Sequence, residues 1–322
     1  MSLPIQVSIV VPVFNEEESL PVLHAELAQA LDSMELGADR SEIIYVNDRS
    51  EDKSLEVMLN LRRQDERVRI VHFRRNFGQT AGLAAGFDES RGRMVVTLDG
   101  DLQNDPADIP RMVAKLEEGY DVVAGWRKER HDGFILRRLP SIIANRLIGI
   151  FTGVRIHDTG CTLKVFRREL VKSMSIYAEQ HRFLPVLSAG TGARVTEMVV
   201  NHRARRFGKS KYGIGRATRV LLDLLTIKLI SQFSQRPLHY FGMISLGALG
   251  LALIFGLVGL VSLSDGGLTG FNEWEMAIST ILILMMALIA YFGLLGLLGE
   301  LAVKASGMHR RSTLDRILNE LH

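Results

Sequence analysis

A single cysteine, Cys161, in 322 residues excludes an internal disulfide and any cysteine-rich zinc site. Such sparing use fits a reducing compartment. No G-x-G-x-x-G follows the first apolar run, and no G-x-x-x-x-G-K-[ST] occurs, which argues against a dinucleotide-binding oxidoreductase and a P-loop enzyme. His157, His181 and His202 lack metal-ligand spacing and read as structural or surface groups. Residues 1–14 have no basic n-region, and their short β-branched apolar run reads as a buried strand, not a signal peptide. Internal repeats and low-complexity stretches are missing too.

Charge is missing altogether from two long stretches. Residues 238–264 and 276–299 contain no Asp, Glu, Lys or Arg. Each exceeds the roughly 20 apolar residues a helix needs to cross a bilayer. Buried core helices are the bland alternative, but these runs are too long and too uniformly apolar for it. The connecting loop, 265–275, holds Asp265, Glu273 and Glu275 and no basic residue. The outer flanks carry Arg236, Lys304, Arg310 and Arg311, which should stay cytoplasmic. Tyr240 and Trp274 sit near span ends, where aromatic rings favour the interface. Gly247, Gly250, Gly256 and Gly259 offer a small-residue surface for helix packing, which would allow a homo-oligomer.

The rest of the chain alternates. Strands are expected over 5–13, 42–47, 68–73, 93–98 and 121–125, and helices over 16–36, 52–65, 78–90 and 106–119. This order argues an α/β fold with a doubly wound, mainly parallel sheet. Beyond it come a helix near 137–151, a strand-like 163–167 and a helix over 181–190. The expected layout is a catalytic domain over 1–211 and a basic amphipathic interface segment over 212–236. Two spans within 237–303 and a cytoplasmic tail over 304–322 follow.

Open parallel sheets bind ligands at the carboxyl ends of their strands. Polar residues gather there: Asn15, Glu16 and Glu17 after the first strand, Asp48 after the second, and Asp99-Gly100-Asp101-Leu102-Gln103 after the fourth. Asp99 and Asp101 can point at one cation, and hard oxygen ligands suit Mg²⁺ or Mn²⁺ bridging phosphates. Gly100 would let a ligand approach the backbone closely, and Gln103 could add an oxygen. A solvated Asp-Gly turn is the competing reading, weakened by the other strand-end clusters. Between 201 and 219 lie Arg203, Arg205, Arg206, Lys209, Lys211, Arg216 and Arg219, with no acidic residue. The cluster abuts a span and lacks interleaved aromatics. Anionic headgroups and a lipid phosphate therefore explain it better than nucleic acid. Arg137 and Ser141, one helical turn apart, could share that phosphate. Cys161 reads as a small buried residue, with no partner histidine to make it a nucleophile.

The runs VSIVVPVFNEEESL, VNDRSEDKS, RRNFGQTAGLAAGF, TLDGDLQNDP and RRFGKSKY, in this order, resemble the family-2 glycosyltransferases of GT-A fold. They are most similar to the polyprenyl-phosphate branch, such as dolichol-phosphate mannose synthases and bactoprenol glucosyltransferases. The resemblance covers nearly the whole chain, the paired spans included. It implies that Pro12, Phe14, Asn15, Glu17 and Asp48 line a base and ribose pocket. By the same likeness Asp99, Asp101 and Gln103 hold the metal and diphosphate, and Arg127 faces phosphate. Arg206, Ser210 and Lys211 would bind the lipid phosphate, and Asp158 would lie near the sugar. Two departures stand out. Asn47-Asp48-Arg49-Ser50 replaces the usual Asp-Asp-Gly-Ser, so Arg49 takes the place of a turn glycine. Asp-Gly-Asp replaces the usual Asp-Ala-Asp.

The resemblance implies inverting sugar transfer from a nucleotide-diphosphate sugar, with UDP favoured over GDP, to a polyprenyl phosphate. Glucose, mannose, N-acetylhexosamine and aminoarabinose donors all fit. An already anionic acceptor needs positioning more than deprotonation. A processive polysaccharide synthase would carry Q-x-x-R-W and more spans, whereas here Gln235-Arg236 runs into Pro237. A non-catalytic nucleotide-binding scaffold conflicts with the intact Asp48, Asp99 and Asp101. A small transporter or channel subunit conflicts with spans that carry no charge.

Overall fold

The computed structural model describes residues 4–34, 40–128, 156–174, 176, 180–204, 237–265 and 273–305. The chain divides into two compact units, Met1–Leu225 and Thr226–His322.

The first unit is built on a seven-stranded sheet: β1 (Val7–Val13), β2 (Ser41–Asn47), β3 (Val68–His72), β4 (Met94–Thr97), β5 (Val122–Trp126), β6 (Lys164–Arg167) and β7 (Val195–Val199). Its order is β3-β2-β1-β4-β6-β5-β7. All neighbours are parallel except β6, which runs antiparallel to both β4 and β5. The expected mainly parallel sheet is thus present, with one reversed strand in it. β7 was not expected. Its five residues are half-exposed, so no clean alternation marks it.

Helices cover both faces: α1 (Leu20–Asp32), α2 (Ser54–Gln64), α3 (Gln79–Glu89), α4 (Ile109–Glu117), α5 (Arg168–Ser173) and α6 (Leu184–Gly190). Side chains alternate along a strand, so β1 feeds two cores. Val7, Ile9, Val11 and Val13 pack with Leu20, Leu23 and Leu27 of α1, Met58 of α2 and Met112 of α4. Val10, Ile44 and Val46 pack with Leu83 and Phe87 of α3 and Leu184 of α6.

Two helices are shorter than expected, and the cause is local. Helix α1 starts at Leu20, because residues 15–17 are tied by hydrogen bonds to the loop after β2. The expected helix 106–119 splits into a 3₁₀ turn, Pro106–Asp108, and α4. Pro110 lacks the N–H that would join them. A 3₁₀ turn over Gln180–Phe183 likewise precedes α6.

The second unit contains α7 (Pro237–Asp265) and α8 (Glu273–Ala305). Within them, Pro237–Val261 and Met276–Lys304 are long and apolar enough to cross a membrane, and only 6% of either apolar window is buried. A core helix of a soluble protein would be mostly covered, so these are candidate membrane spans. Gly296 and Gly299 lie against Phe241, Leu238 and Pro237, and Gly259 lies against Ile278. Gly247, Gly250 and Gly256 have no neighbour within 4 Å of where a Cβ would stand.

Candidate active site

The sheet order reverses between β1 and β4, the position where a crevice opens in doubly wound sheets. Pro12 marks that opening. β1 pairs with β4 only as far as Val10↔Thr97, and Leu98 N–H still donates to Val10 O. Two residues on, Pro12 faces the same side, where no ladder remains to need its missing N–H. On the other side the ladder continues: Pro12 and Val13 lie opposite Val46 and Asn47, and Asp48 N–H donates to Val13 O at 2.8 Å.

The loops after β1 and β2 are knitted together. Asn15 N–H donates to Ser50 Oγ at 3.0 Å, while Asn15 Oδ1 accepts from Glu51 N–H at 2.8 Å. Glu17 Oε2 accepts from Lys53 N–H at 2.8 Å. The buried Asp48 carboxylate accepts two amides of the loop before α3, Phe77 N–H at 2.7 Å and Gly78 N–H at 2.9 Å. Asn15, Glu17 and Asp48 therefore fix the loops at this end of the sheet by binding backbone. Pro12 and Phe14, at the end of β1, are half-buried.

Among the described residues, three other than glycine adopt positive φ, and each follows a strand of this sheet: Asn15 (53°), Arg49 (60°) and Leu102 (61°). Arg49 thus keeps the left-handed turn that a glycine would make, at a steric cost. Strain of this kind persists only where surrounding contacts over-determine it.

Asp99 and Asp101 stand after β4 as expected. Asp101 is nearly buried, and its Oδ1 accepts from Gln103 N–H at 3.1 Å. Gln79, the first residue of α3, donates to Asp99 Oδ1 at 2.5 Å. Burial first, then the neighbouring Asp101 carboxylate, pushes the Asp99 carboxyl up to about 7, against opposing pulls from Thr162, Lys164 and Arg127. The fold itself leaves room for a side chain at Gly100. A Cβ there would meet Glu16 Cγ at 3.5 Å and Pro12 O at 3.8 Å, ordinary contacts, so nothing in the protein requires glycine.

Opposite, charge is buried. Arg127, just after β5, binds both oxygens of Asp158, Nε to Oδ2 at 2.7 Å and Nη2 to Oδ1 at 3.0 Å. Asp158 Oδ1 also accepts from Gly160 N–H at 3.2 Å, so the same carboxylate closes a turn and pairs with the arginine. The pair is fixed from behind by Glu197 of β7, which accepts from the amides of His157 and Asp158. Lys164 of β6, fully buried, donates to the carbonyls of Thr159 and Cys161. Burial pulls its ammonium down to about 8. Burial likewise raises the Cys161 thiol to about 11, which leaves it inert. His181 is buried, held by Thr80 at 2.7 Å, and kept neutral by burial, which lowers it to about 3. A cavity of about 10 Å³ between Asp99, Lys164 and His181 has room for one water.

Gln79, Lys164 and Glu197 were not singled out from the sequence. Arg203 was placed with the basic cluster, but here it is paired with Glu26 and Asp105. Arg137, Ser141, Arg206, Ser210 and Lys211 lie outside the described residues, as do the helix 137–151 and the segment 212–236.

Among the described residues no group of three or more His, Cys, Asp or Glu could hold a metal by itself. The donor set is two carboxylates, one raised first by burial and then by the other, at the carboxyl ends of the strands. That fits a divalent cation completing its shell with phosphate oxygens and water.

A parallel sheet with paired carboxylates at its switch point is the layout of a GT-A transferase. Residues 8–174 match the model described as glycosyl transferase family 2. The chain is 47% identical over 257 residues to dodecaprenyl-phosphate galacturonate synthase of Rhizobium johnstonii, covering 78% of this chain and 74% of that one. It is 39% identical over 252 residues to undecaprenyl-phosphate 4-deoxy-4-formamido-L-arabinose transferase of Shewanella sediminis, covering 78% and 73%. The solved structure of Mycobacterium tuberculosis glucosyl-3-phosphoglycerate synthase with Mg²⁺ and uridine diphosphate aligns at a TM-score of 0.54. That alignment has 17% identity over 69% of this chain and 79% of that one, and speaks to the fold alone. The chain belongs to glycosyltransferase family 2, and it is a glycosyltransferase.

Proposed function

We propose that the protein transfers a sugar from a UDP-sugar to a polyprenyl phosphate at the cytoplasmic membrane face, giving a polyprenyl-monophosphate sugar with inversion at the anomeric carbon. The observation that carries this reading is the Asp99/Asp101 pair at the β1/β4 opening, in a chain that also has two candidate spans. The knitted loops at Asn15, Glu17 and Asp48 form the wall for base and ribose. Asp99 and Asp101, with Gln103, would hold Mg²⁺ or Mn²⁺, which supplies charge neutralisation for a diphosphate leaving group. Arg127, oriented by Asp158, is the cation for the phosphates in this reading. Asp158 acts as its counter-ion, and a lipid phosphate that is already anionic needs no strong base. Arg206, Ser210 and Lys211, with Arg137 and Ser141, are the lipid-phosphate ligands in this reading. The uncharged spans, acidic loop and basic flanks orient the catalytic domain to the cytoplasm.

The test is a panel of radiolabelled UDP-sugars, including galacturonate and 4-formamido-arabinose donors, with undecaprenyl phosphate in membranes containing the protein. One donor should label the lipid, and Asp99→Asn and Asp101→Asn should each abolish labelling while the protein stays folded. Full labelling by both variants would sink the assignment.

A further inference from the structure

The segment after β7 does not leave the catalytic unit freely. It is fastened, side chain and backbone, to the loop that carries the second carboxylate. Asn201 N–H donates to Asp108 Oδ2 at 2.7 Å, and Asn201 Nδ2 donates to Asp105 Oδ2 at 2.9 Å. His202 and Asn104 form an antiparallel bridge. Arg203 N–H donates to Gln103 O at 2.9 Å. The Arg203 guanidinium spans two carboxylates: Nη1 lies 2.8 and 2.7 Å from the oxygens of Glu26 on α1, and Nη2 lies 2.7 Å from Asp105 Oδ1. Arg203 is 28% exposed, Glu26 25% and Asp105 12%, so these are partly desolvated pairs.

The loop so held contains a strained residue. Leu102, between Asp101 and Gln103, sits at φ 61° with its side chain in the core. A left-handed leucine relaxes unless its neighbours are fixed on both sides. On one side the core fixes it. On the other, the contacts fall on Gln103, Asn104 and Asp105.

We propose that Asn201 and Arg203 are positioning residues for the cation and diphosphate centre, acting through the Leu102–Asp105 loop. Arg203 therefore serves the donor side and is not a lipid-phosphate ligand. This rests on the metal reading of Asp99 and Asp101, but not on the identity of the acceptor.

The experiment uses the full chain in detergent. Binding of Mn²⁺ with UDP is measured by calorimetry, and hydrogen exchange is followed at the amides of Gln103 and Ala107. Arg203→Gln should weaken Mn²⁺-dependent UDP binding on the order of tenfold and speed exchange in the loop. Arg203→Lys should recover part of both, and Glu26→Gln should give a smaller loss. In transfer assays the donor and metal KM should rise, with the polyprenyl-phosphate KM unchanged. Unchanged Mn²⁺–UDP affinity in Arg203→Gln, or a rise confined to the lipid KM, would overturn the proposal. If wild-type protein binds Mn²⁺–UDP but labels no lipid, the acceptor reading fails and the positioning role stands. If Arg203→Gln does not fold, Arg203→Lys and Glu26→Gln decide: normal affinity in both would overturn it.

Discussion

The two sides of the site are held in place by different forces. On the β1–β2–β3 side, the side chains of Asn15, Glu17 and Asp48 take up backbone amides, and the frame is a net of ordinary hydrogen bonds. On the β5–β6–β7 side, the frame is buried charge: Arg127 against Asp158, with Lys164 beneath them. An amide net fixes shape with little cost in desolvation, which suits a wall for a base and ribose. Buried charge is costly to assemble but keeps a strong, fixed field where a sugar and phosphates would meet. The two frames should therefore break differently.

The largest effect is expected on the charged side. Arg127→Met leaves Asp158, which is 4% exposed, as a buried carboxylate without its cation. Such a change costs about 3–5 kcal/mol. Denaturant unfolding of the full chain in detergent should show it, and adding Asp158→Asn should return most of the loss. A double variant no more stable than the single one would mean that packing, not charge, holds this side. Next comes the amide side. Asp48→Ala strands the Phe77 and Gly78 amides, for roughly 2–3 kcal/mol. Asp48→Asn keeps one acceptor oxygen and should lose about half as much. Equal losses for Ala and Asn would show that the negative charge itself matters, and the contrast between the two frames would narrow.

Asp99 lies between the frames, and its ionisation gives a pH test. Its folded value, about 7, is above the ordinary 3.8, so the cation-free protein holds an extra proton between these values. Its contribution to stability is greatest in acid and is lost as pH rises through about 7. A cation must displace that proton. Mn²⁺ affinity should fall by up to about tenfold per pH unit below 7 and level off above it. A flat profile from pH 5.5 to 8 would show that Asp99 is ionised throughout.

The amide side was largely legible in the sequence, because its residues stand next to the strands that place them. β1 to β4 appear within a residue or two of expectation, and the turn residues follow directly. On the charged side Arg127 and Asp158 stand out in the sequence, but their pairing does not, because the partners are distant along the chain. Arg127 and Asp158 are 31 residues apart, and Arg203 and Glu26 are 177 apart. Nothing in a charge run says which arginine is already taken by a carboxylate. Lys164 is hidden for another reason: a lysine in a short apolar strand reads as an exposed edge residue, yet here carbonyls surround it.

Arg49 and Gly100, the two departures from the family pattern, give the finest tests, one on the amide side and one between the frames. Arg49 is exposed at φ 60°, so Arg49→Gly relieves a left-handed side chain and loses some chain entropy. A net gain of about 0.5–1 kcal/mol is expected in the unfolding measurement. A loss would mean that the arginine side chain holds the turn.

Gly100→Ala should have the smallest effect of all. The new methyl would meet Glu16 Cγ at 3.5 Å and Glu16 Cβ and Pro12 O at 3.8 Å, and the backbone at Gly100 is not left-handed. Stability should stay level or rise by up to about 0.5 kcal/mol as the unfolded chain loses freedom. Labelling of the lipid should stay within about twofold, since no protein atom needs the space. The informative outcome is a split between the two measurements. If the variant is as stable as the parent but transfer drops tenfold or more, the space is needed by a ligand and not by the fold. Gly100 would then mark where a diphosphate or cation passes the backbone between Asp99 and Asp101, and the two carboxylates would have to be read as a pair closing on that point.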